Sequence, residues 1–95
     1  MKVRLSAAAR RDLSGIWRYT AKRWDEAQAD RYVRLIVDGF DGLATGTMKG
    51  RDASDIRAGY FKLPVGSHLA FYRLNGEAIE VVRILHGRTD FDRHL

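Results

Sequence analysis

The chain has 95 residues, no cysteine and a net charge of +5, with 45% hydrophobic and 31% charged side chains. This length predicts one domain with a modest core and little room for a deep active-site cavity, and the lack of cysteine excludes disulfides and thiolate chemistry. No stretch approaches the ~20 apolar residues of a membrane span, and the start lacks a signal-peptide pattern. We therefore expect a soluble, cytoplasmic protein.

The positive charge is concentrated at the N-terminus. Residues 1–24 contain seven basic side chains and one acidic one, whereas residues 25–55 contain four basic and seven acidic ones. Residues 56–95 contain six basic and four acidic side chains. Such an excess suits a polyanion or an acidic protein partner, and an ordinary solvated helix face is the alternative.

The first elements are a short strand and an amphipathic helix. Lys2 to Leu5 alternates polar and apolar residues, as a strand does, and Ser6 is the expected N-cap of the helix. An apolar stripe interrupted by Thr20 is predicted to face the core. The stripe comprises Ala9, Leu13, Ile16, Trp17 and Trp24. Basic residues occupy the opposite face and the flanks of the stripe, and they are Arg10, Arg11, Arg18, Lys22 and Arg23.

A second helix follows a turn around Asp25. Asp25 is its expected N-cap, and Gln28 three residues later completes a capping box. Its apolar stripe comprises Ala29, Tyr32, Val33, Ile36, Val37, Phe40 and Leu43. The two helices form a helical hairpin, and the Gly-containing stretch from Thr45 to Asp55 is predicted to be a loop.

Three strands complete the chain. They are predicted at Ile56–Leu63, His68–Leu74 and Ala78–His86, with a turn at 64–66 and a type I′ hairpin turn at Asn75-Gly76. The fold class is α+β with the order β-α-α-β-β-β, in which residues 1–95 form one domain and the helical hairpin packs on a twisted antiparallel sheet.

The last strand is predicted to be central in the sheet, because both of its faces are largely apolar. Simple alternation places Ile79, Val81, Arg83 and Leu85 on one face. It places Glu80, Val82, Ile84 and His86 on the other. Something should cover each face, and the N-terminal strand is the expected edge neighbour.

No spacing in the sequence indicates a cofactor or a metal. A Gly-rich phosphate loop and a Cys/His metal pattern are both missing, and His68, His86 and His94 are far apart in sequence. Glu77 and Glu80 flank a hairpin and are expected to face solvent. Trp17, Trp24, Phe71 and Tyr72 are expected in the core.

Arginines inside predicted strands are the unusual feature. Arg57, Arg73 and Arg83 each fall within a strand, and a buried arginine must be paired or face a groove. One interpretation is an ion pair of Arg83 with Asp55, Glu80 or Asp90. The other is a shallow basic surface formed by the three arginines, which would bind phosphate or a partner's carboxylate.

The segment that follows the last strand allows two interpretations as well. His86 and Asp90 are placed to hydrogen-bond each other and to fix the tail to the sheet as a structural clasp. Alternatively, His86 alone would serve as a general base near neutral pH.

The tail and the element order resemble the RelE/ParE toxin superfamily, and most of all its ParE branch. The resemblance spans essentially the whole chain and is most specific over the last thirty residues. It is carried by Ser6-x-x-Ala9-x-x-Asp12-Leu13, Ile56-Arg57, Val65-Gly66, Leu69-Ala70-Phe71-Tyr72-Arg73 and the run from Ile79 to Asp90.

The resemblance implies a toxin of a type II toxin–antitoxin system, neutralised by a cognate, ParD-like antitoxin. For a ParE-like member it implies inhibition of DNA gyrase. For a RelE-like member it implies ribosome-dependent mRNA cleavage, which needs basic residues on the sheet and an acid/base residue near the C-terminus. The RelE-like candidates here are Arg57, Arg73, Arg83 and His86.

This tail departs from the RelE-like pattern, because it has Phe91 where a proton-exchanging tyrosine would serve and no lysine after Lys62. We therefore favour a non-catalytic, gyrase-directed toxin over a ribonuclease or a non-toxic partner-binding module. An acidic antitoxin is expected in an apolar groove beside the first helix and the sheet. The candidate partner-binding residues are Arg10, Arg11, Trp17, Arg18, Arg57, Arg73, Arg83 and Arg88.

Overall fold

The computed structural model describes all 95 residues except for the side chain of Asp92. It confirms the α+β class and the helical hairpin packed on a sheet. The elements are β1 (Lys2–Leu5), α1 (Ala7–Arg23), α2 (Glu26–Thr45), β2 (Arg51–Asp52), β3 (Tyr60–Val65), β4 (His68–Asn75), β5 (Ala78–His86) and a 3-10 turn (Phe91–Arg93). No helix in the part of the chain described is both long and apolar enough to cross a membrane.

The sheet has the strand order β1-β5-β4-β3-β2. Strand β1 is the edge neighbour of β5, as predicted, but the pair is parallel, so the sheet is mixed rather than wholly antiparallel. The parallel pairing follows from topology, because the helical hairpin and three further strands separate β1 from β5. A connection of that length can return the chain in the same direction.

Both predicted helix caps are present. The Ser6 Oγ accepts a hydrogen bond from the Ala9 N–H at 3.0 Å, and an Asp25 carboxylate oxygen accepts one from the Gln28 N–H at 2.7 Å. The Gln28 side chain accepts a hydrogen bond from Arg31, so it does not complete the expected capping box. Helix α2 ends at Gly46, whose φ of 82° is the left-handed conformation that favours glycine.

The two hairpin turns differ from the predicted ones. Their central residues are Gly66-Ser67 and Gly76-Glu77, each with a positive φ at the glycine alone. A glycine with positive φ at the first central position is the type II′ arrangement. The predicted type I′ turn at Asn75-Gly76 is therefore wrong by one residue, because Asn75 still pairs with Ala78 in the sheet.

Strand β3 also differs from its prediction. It begins at Tyr60 rather than Ile56 and continues through Pro64, which had been assigned to a turn. Pro64 fits there because β2 pairs only with Phe61 and Lys62, so no neighbour on that side requires a proline N–H.

Apolar residues cover both faces of the sheet. The larger cluster joins the helices to one face, and Ile36, Val81 and Tyr72 are among its buried members. A smaller cluster on the other face contains Phe71 and Leu85, over which Phe91 of the C-terminal segment packs. The expectation that each side of β5 is covered is therefore confirmed.

Not every aromatic residue assigned to the core is buried. Phe71 and Tyr72 are buried as predicted, but the side chain of Trp24 is 67% exposed. Helix α1 ends at Arg23, and Trp24 adopts a non-helical C-cap conformation that removes it from the apolar stripe. Trp17 is half-buried, and its ring N–H donates to the Asp30 carboxylate at 2.9 Å.

A β-bulge at Val82 changes the alternation along β5. Tyr72 pairs with Val81 and Phe71 with Arg83, so Val82 is the extra residue. Ile84 consequently joins the helix-facing cluster together with Val81, whereas simple alternation had placed these two residues on opposite faces.

The two turn glycines provide a test of packing between α2 and the β3–β4 turn. Both have positive φ, and an alanine there should cost roughly 1–2 kcal/mol. A Cβ at Gly66 would also lie 2.7 Å from the Tyr32 ring, whereas one at Gly76 would meet nothing within 4 Å. We expect Gly66→Ala to lower the free energy of unfolding by about 1–3 kcal/mol more than Gly76→Ala in urea denaturation. Equal losses would contradict a fixed position of Tyr32.

Candidate functional site

The first turns of α1 close the open edge of β5. Strand β1 pairs with β5 only as far as Val81. Beyond it, the Ser6 N–H donates to the Val81 carbonyl at 2.9 Å, and the Ser6 hydroxyl donates to the Val82 carbonyl at 2.6 Å. One turn further along α1, Asp12 accepts a hydrogen bond from the Ile84 N–H at 2.9 Å. The helix thus replaces a missing strand.

Arg83 is bound to the same carboxylate. Its Nε and Nη2 donate to the two oxygens of Asp12 at 2.7 and 3.0 Å, and Nη1 donates to the His94 carbonyl at 3.2 Å. The hydrogen bond with Asp12 raises the pKa of the guanidinium above its ordinary value. The predicted pairing with Asp55, Glu80 or Asp90 is therefore wrong, since the partner comes from the helix 71 residues earlier in the chain.

The predicted basic surface of three arginines does not form. Arg57 lies in the loop before β3 rather than in a strand, and its guanidinium lies 6.0 Å from the Tyr60 ring centre. Arg73 lies in β4 and forms an ion pair with Glu80 of β5 at 2.7 Å. Because Arg83 is held by Asp12, two of the three guanidinium groups already have a carboxylate partner.

The predicted clasp between His86 and Asp90 is also absent among the described atoms. The His86 Nδ1 instead accepts a hydrogen bond from the Arg88 N–H at 3.1 Å. The tail is held to the sheet by two other contacts. The Phe91 ring packs edge-on against Phe71 with the ring centres 4.8 Å apart, and Arg83 donates a hydrogen bond to the His94 carbonyl. His86 remains exposed.

A groove lies between α1, the start of α2 and the adjacent ends of β4 and β5. We call it the histidine groove. Its floor contains Ile16 and Ile84, and its other lining residues include Arg11, Tyr19, Trp24, Tyr32, His68 and His86. Tyr19 and Trp24 are among the most exposed large side chains of the protein.

The two histidines of the groove form a pair. His68 and His86 are directly opposed on β4 and β5, with ring centres 5.4 Å apart and nearly perpendicular planes. Tyr32 accepts a hydrogen bond from the Ser67 N–H at 2.9 Å, and its hydroxyl lies 2.6 Å from the His68 Nδ1. The Tyr32 hydroxyl thus links the β3–β4 turn to the His68 ring.

Burial is the main cause that lowers the pKa of His68 below its ordinary value of 6.5. The neighbouring His86 lowers the same pKa further, while the Asp12 carboxylate opposes the shift. At neutral pH His68 is accordingly a neutral imidazole that is hydrogen-bonded to Tyr32. The pair is not evident in the sequence, because 18 residues separate the two histidines and only the register of the hairpin brings them into contact.

The structure distributes the predicted partner-binding residues over several surfaces. Arg10, Arg11 and Arg18 are exposed on α1, and of these Arg11 lines the histidine groove. Trp17 lies instead in a shallow recess between the helices, and Arg88 lies exposed in the turn after β5. Among the described residues, no three His, Asp or Glu side chains are grouped closely enough to hold a metal ion.

Comparison with known proteins gives the family. A family model described as the ParE toxin of the type II toxin–antitoxin system parDE matches residues 3–91. The chain belongs to the ParE toxin family. Toxin ParE1 of Mycobacterium tuberculosis is 47% identical over 96% of this chain and 94% of the relative. Toxin ParE1 of Caulobacter vibrioides is 37% identical over 97% of this chain and 95% of its own length.

Solved structures of toxin–antitoxin systems share the fold of this ParE-family chain. A chain of the chromosomal ParDE system from P. aeruginosa has a TM-score of 0.79 and 22% identity, covering 90% of this chain and 95% of the other. A chain of the RelBE2 complex from Mycobacterium tuberculosis has a TM-score of 0.61 and 23% identity, covering 90% of this chain and 95% of the other. The resemblance to the ParE toxins found in the sequence is thus confirmed.

The bond between Asp12 and Arg83 should be a principal source of stability. Asp12→Ala would leave the guanidinium and the Ile84 N–H without their shared acceptor in a largely buried position, so we expect a loss of about 2–3 kcal/mol. Arg73→Ala is the matched control, because it removes an ion pair that is more exposed and should cost less than about 1 kcal/mol. Chemical denaturation measures both, and similar losses would contradict the role given to Asp12.

Proposed function

We propose that this ParE-family toxin inhibits DNA gyrase by binding it, without catalysing a reaction itself, and that a ParD-like antitoxin neutralises it. Family membership supports the toxin class. The observation that carries the non-catalytic mechanism is the pairing of Arg83 with Asp12, which occupies the basic side chain best suited by sequence to bind a phosphate.

The remaining parts of a ribonuclease site also have other partners. Arg73 is neutralised by Glu80, and Arg57 lies in a loop beside Tyr60. Phe91 packs on the sheet as an apolar side chain and cannot exchange a proton. A ribonuclease would need free cations around the scissile phosphate, where they stabilise the charge of the transition state. These contacts favour a toxin that acts through its surface.

The charge of α1 supports an acidic antitoxin. Arg10, Arg11, Arg18, Lys22 and Arg23 are exposed on this helix, whereas its one acidic residue, Asp12, is bound to Arg83. The histidine groove beside them offers apolar and aromatic surface. The P. aeruginosa structure is described as a ParDE system, which is consistent with a partner of the ParD type here.

Toxicity and target are tested with purified protein and in cells. Induction should arrest growth, and co-expression of the reading frame adjacent to the toxin gene should restore it. In a supercoiling assay, micromolar toxin should inhibit gyrase and accumulate cleaved DNA. The same preparation should leave mRNA intact in a translating extract. Cleavage of mRNA together with unaffected gyrase would replace the proposal by a RelE-like mechanism, and harmless expression would contradict both.

The basic face of α1 should determine how fast the antitoxin associates. Arg11→Glu combined with Arg18→Glu should lower the association rate constant at least tenfold at low ionic strength, because electrostatic steering is lost. Arg34→Glu together with Arg31→Glu is the matched control, since these exposed arginines lie on α2. Surface plasmon resonance at several salt concentrations measures the rates. Equal effects of the two double variants would show that net charge, rather than this face, matters.

A further inference from the structure

The histidine groove presents two imidazoles whose Nδ1 atoms are both engaged. The His68 Nδ1 shares a hydrogen bond with the Tyr32 hydroxyl, and the His86 Nδ1 accepts one from the Arg88 N–H. The Nε2 atom of each ring takes part in neither bond. Because both rings line the groove, each offers one further ring nitrogen to a ligand there.

The surroundings of this pair favour a negatively charged ligand. Arg11 and Tyr19 approach it from α1, Tyr32 from α2 and His86 faces His68 from β5. Among the described residues that line the groove, the one carboxylate is that of Asp12, and it is already bound to Arg83 and to the Ile84 N–H. The groove thus contains hydrogen-bond donors and a guanidinium but no free acidic side chain among its lining residues.

We propose that the His68–His86 pair is a carboxylate subsite of the antitoxin-binding surface, and that a Glu or Asp side chain of the antitoxin binds there with uptake of a proton. The inference rests on the proposed neutralisation by an antitoxin and adds the chemistry of one contact. A peptide segment is favoured over a nucleic acid because the floor of the groove is aliphatic, with Ile16 and Ile84, and suits apolar side chains beside the acidic one.

Proton uptake follows from the geometry. In the free protein, burial and the nearby His86 disfavour a charged His68. A carboxylate between the rings would favour the charged form and raise the pKa of His68. The gain in affinity should therefore be complete below the pKa of His68 in the free protein and should vanish as the pH rises through its raised pKa in the complex.

The test uses the full chain carrying Trp17→Phe, which leaves Trp24 in the groove as the single tryptophan. Its fluorescence reports binding of a 14-residue helical peptide with Leu residues along one face and Glu residues directly beside them. Matched probes are the same peptide with Gln in place of Glu, and single-stranded dT14. The Glu peptide should bind about tenfold tighter at pH 5.5 than at pH 8, since one pKa unit corresponds to a tenfold change. The Gln peptide should bind weakly at both pH values.

Variants separate proton uptake from simple contact. His68→Gln keeps an N–H donor but removes the imidazole that takes up the proton, so it should retain the affinity at pH 8 and lose the gain at pH 5.5. His94→Gln is the control, because this exposed histidine lies in the tail and does not line the groove. Circular dichroism at both pH values checks that each variant is folded.

Three results would overturn the inference: no binding of the Glu peptide, an affinity that does not depend on pH, or a pH dependence that persists in His68→Gln. Tighter binding of dT14 than of the Glu peptide would likewise overturn it in favour of a nucleic-acid site. None of these outcomes bears on gyrase inhibition or on growth rescue. The subsite and the proposed function can therefore fail separately.

Discussion

The Asp12 carboxylate is the interaction on which the arrangement of helix, sheet and tail depends. An edge of β5 lies open where β1 ends, and unpaired edge groups invite pairing with other chains. Asp12 accepts hydrogen bonds from the Ile84 N–H on this edge and from the Nε and Nη2 atoms of Arg83. Arg83 in turn reaches the His94 carbonyl. Asp12 thereby connects α1 with the sheet edge and, through Arg83, with the C-terminal segment. It also provides the charge of Arg83 with a carboxylate partner.

The bulge at Val82 determines which residues meet around β5. Without this extra residue, the register that pairs Asn75 with Ala78 would place His68 opposite Leu85 rather than His86. The bulge therefore creates the histidine pair, and it also lets two residues of the same strand, Val81 and Ile84, face the helices. The bulge thus accounts both for the position of Ile84 in the helix-facing cluster and for the contact between the two histidines.

Local signals in the sequence predicted most helices and strands, whereas they could not predict contacts between residues far apart in the chain. The caps at Ser6 and Asp25 depend on side chains three residues from their partners, and both formed as expected. The partner of Arg83 could not be chosen among several acids, because Asp12 becomes its neighbour only after α1 packs along β5. The predicted burial of Trp24 is wrong, because helical spacing places a residue on the apolar stripe only within the helix, and α1 ends at Arg23.

The same pairing supports the proposed action by binding rather than by catalysis. The carboxylates of Glu80 and Asp12 pair with Arg73 and Arg83 respectively. These two guanidinium groups are therefore less available to a phosphate. Because Asp12 is paired with Arg83, the exposed charged residues of α1 are all basic. A strongly positive helix therefore lies beside the histidine groove. An acidic partner can recognise that combination through charge and apolar contact together, which are the two properties that a neutralising antitoxin needs in order to bind both quickly and tightly.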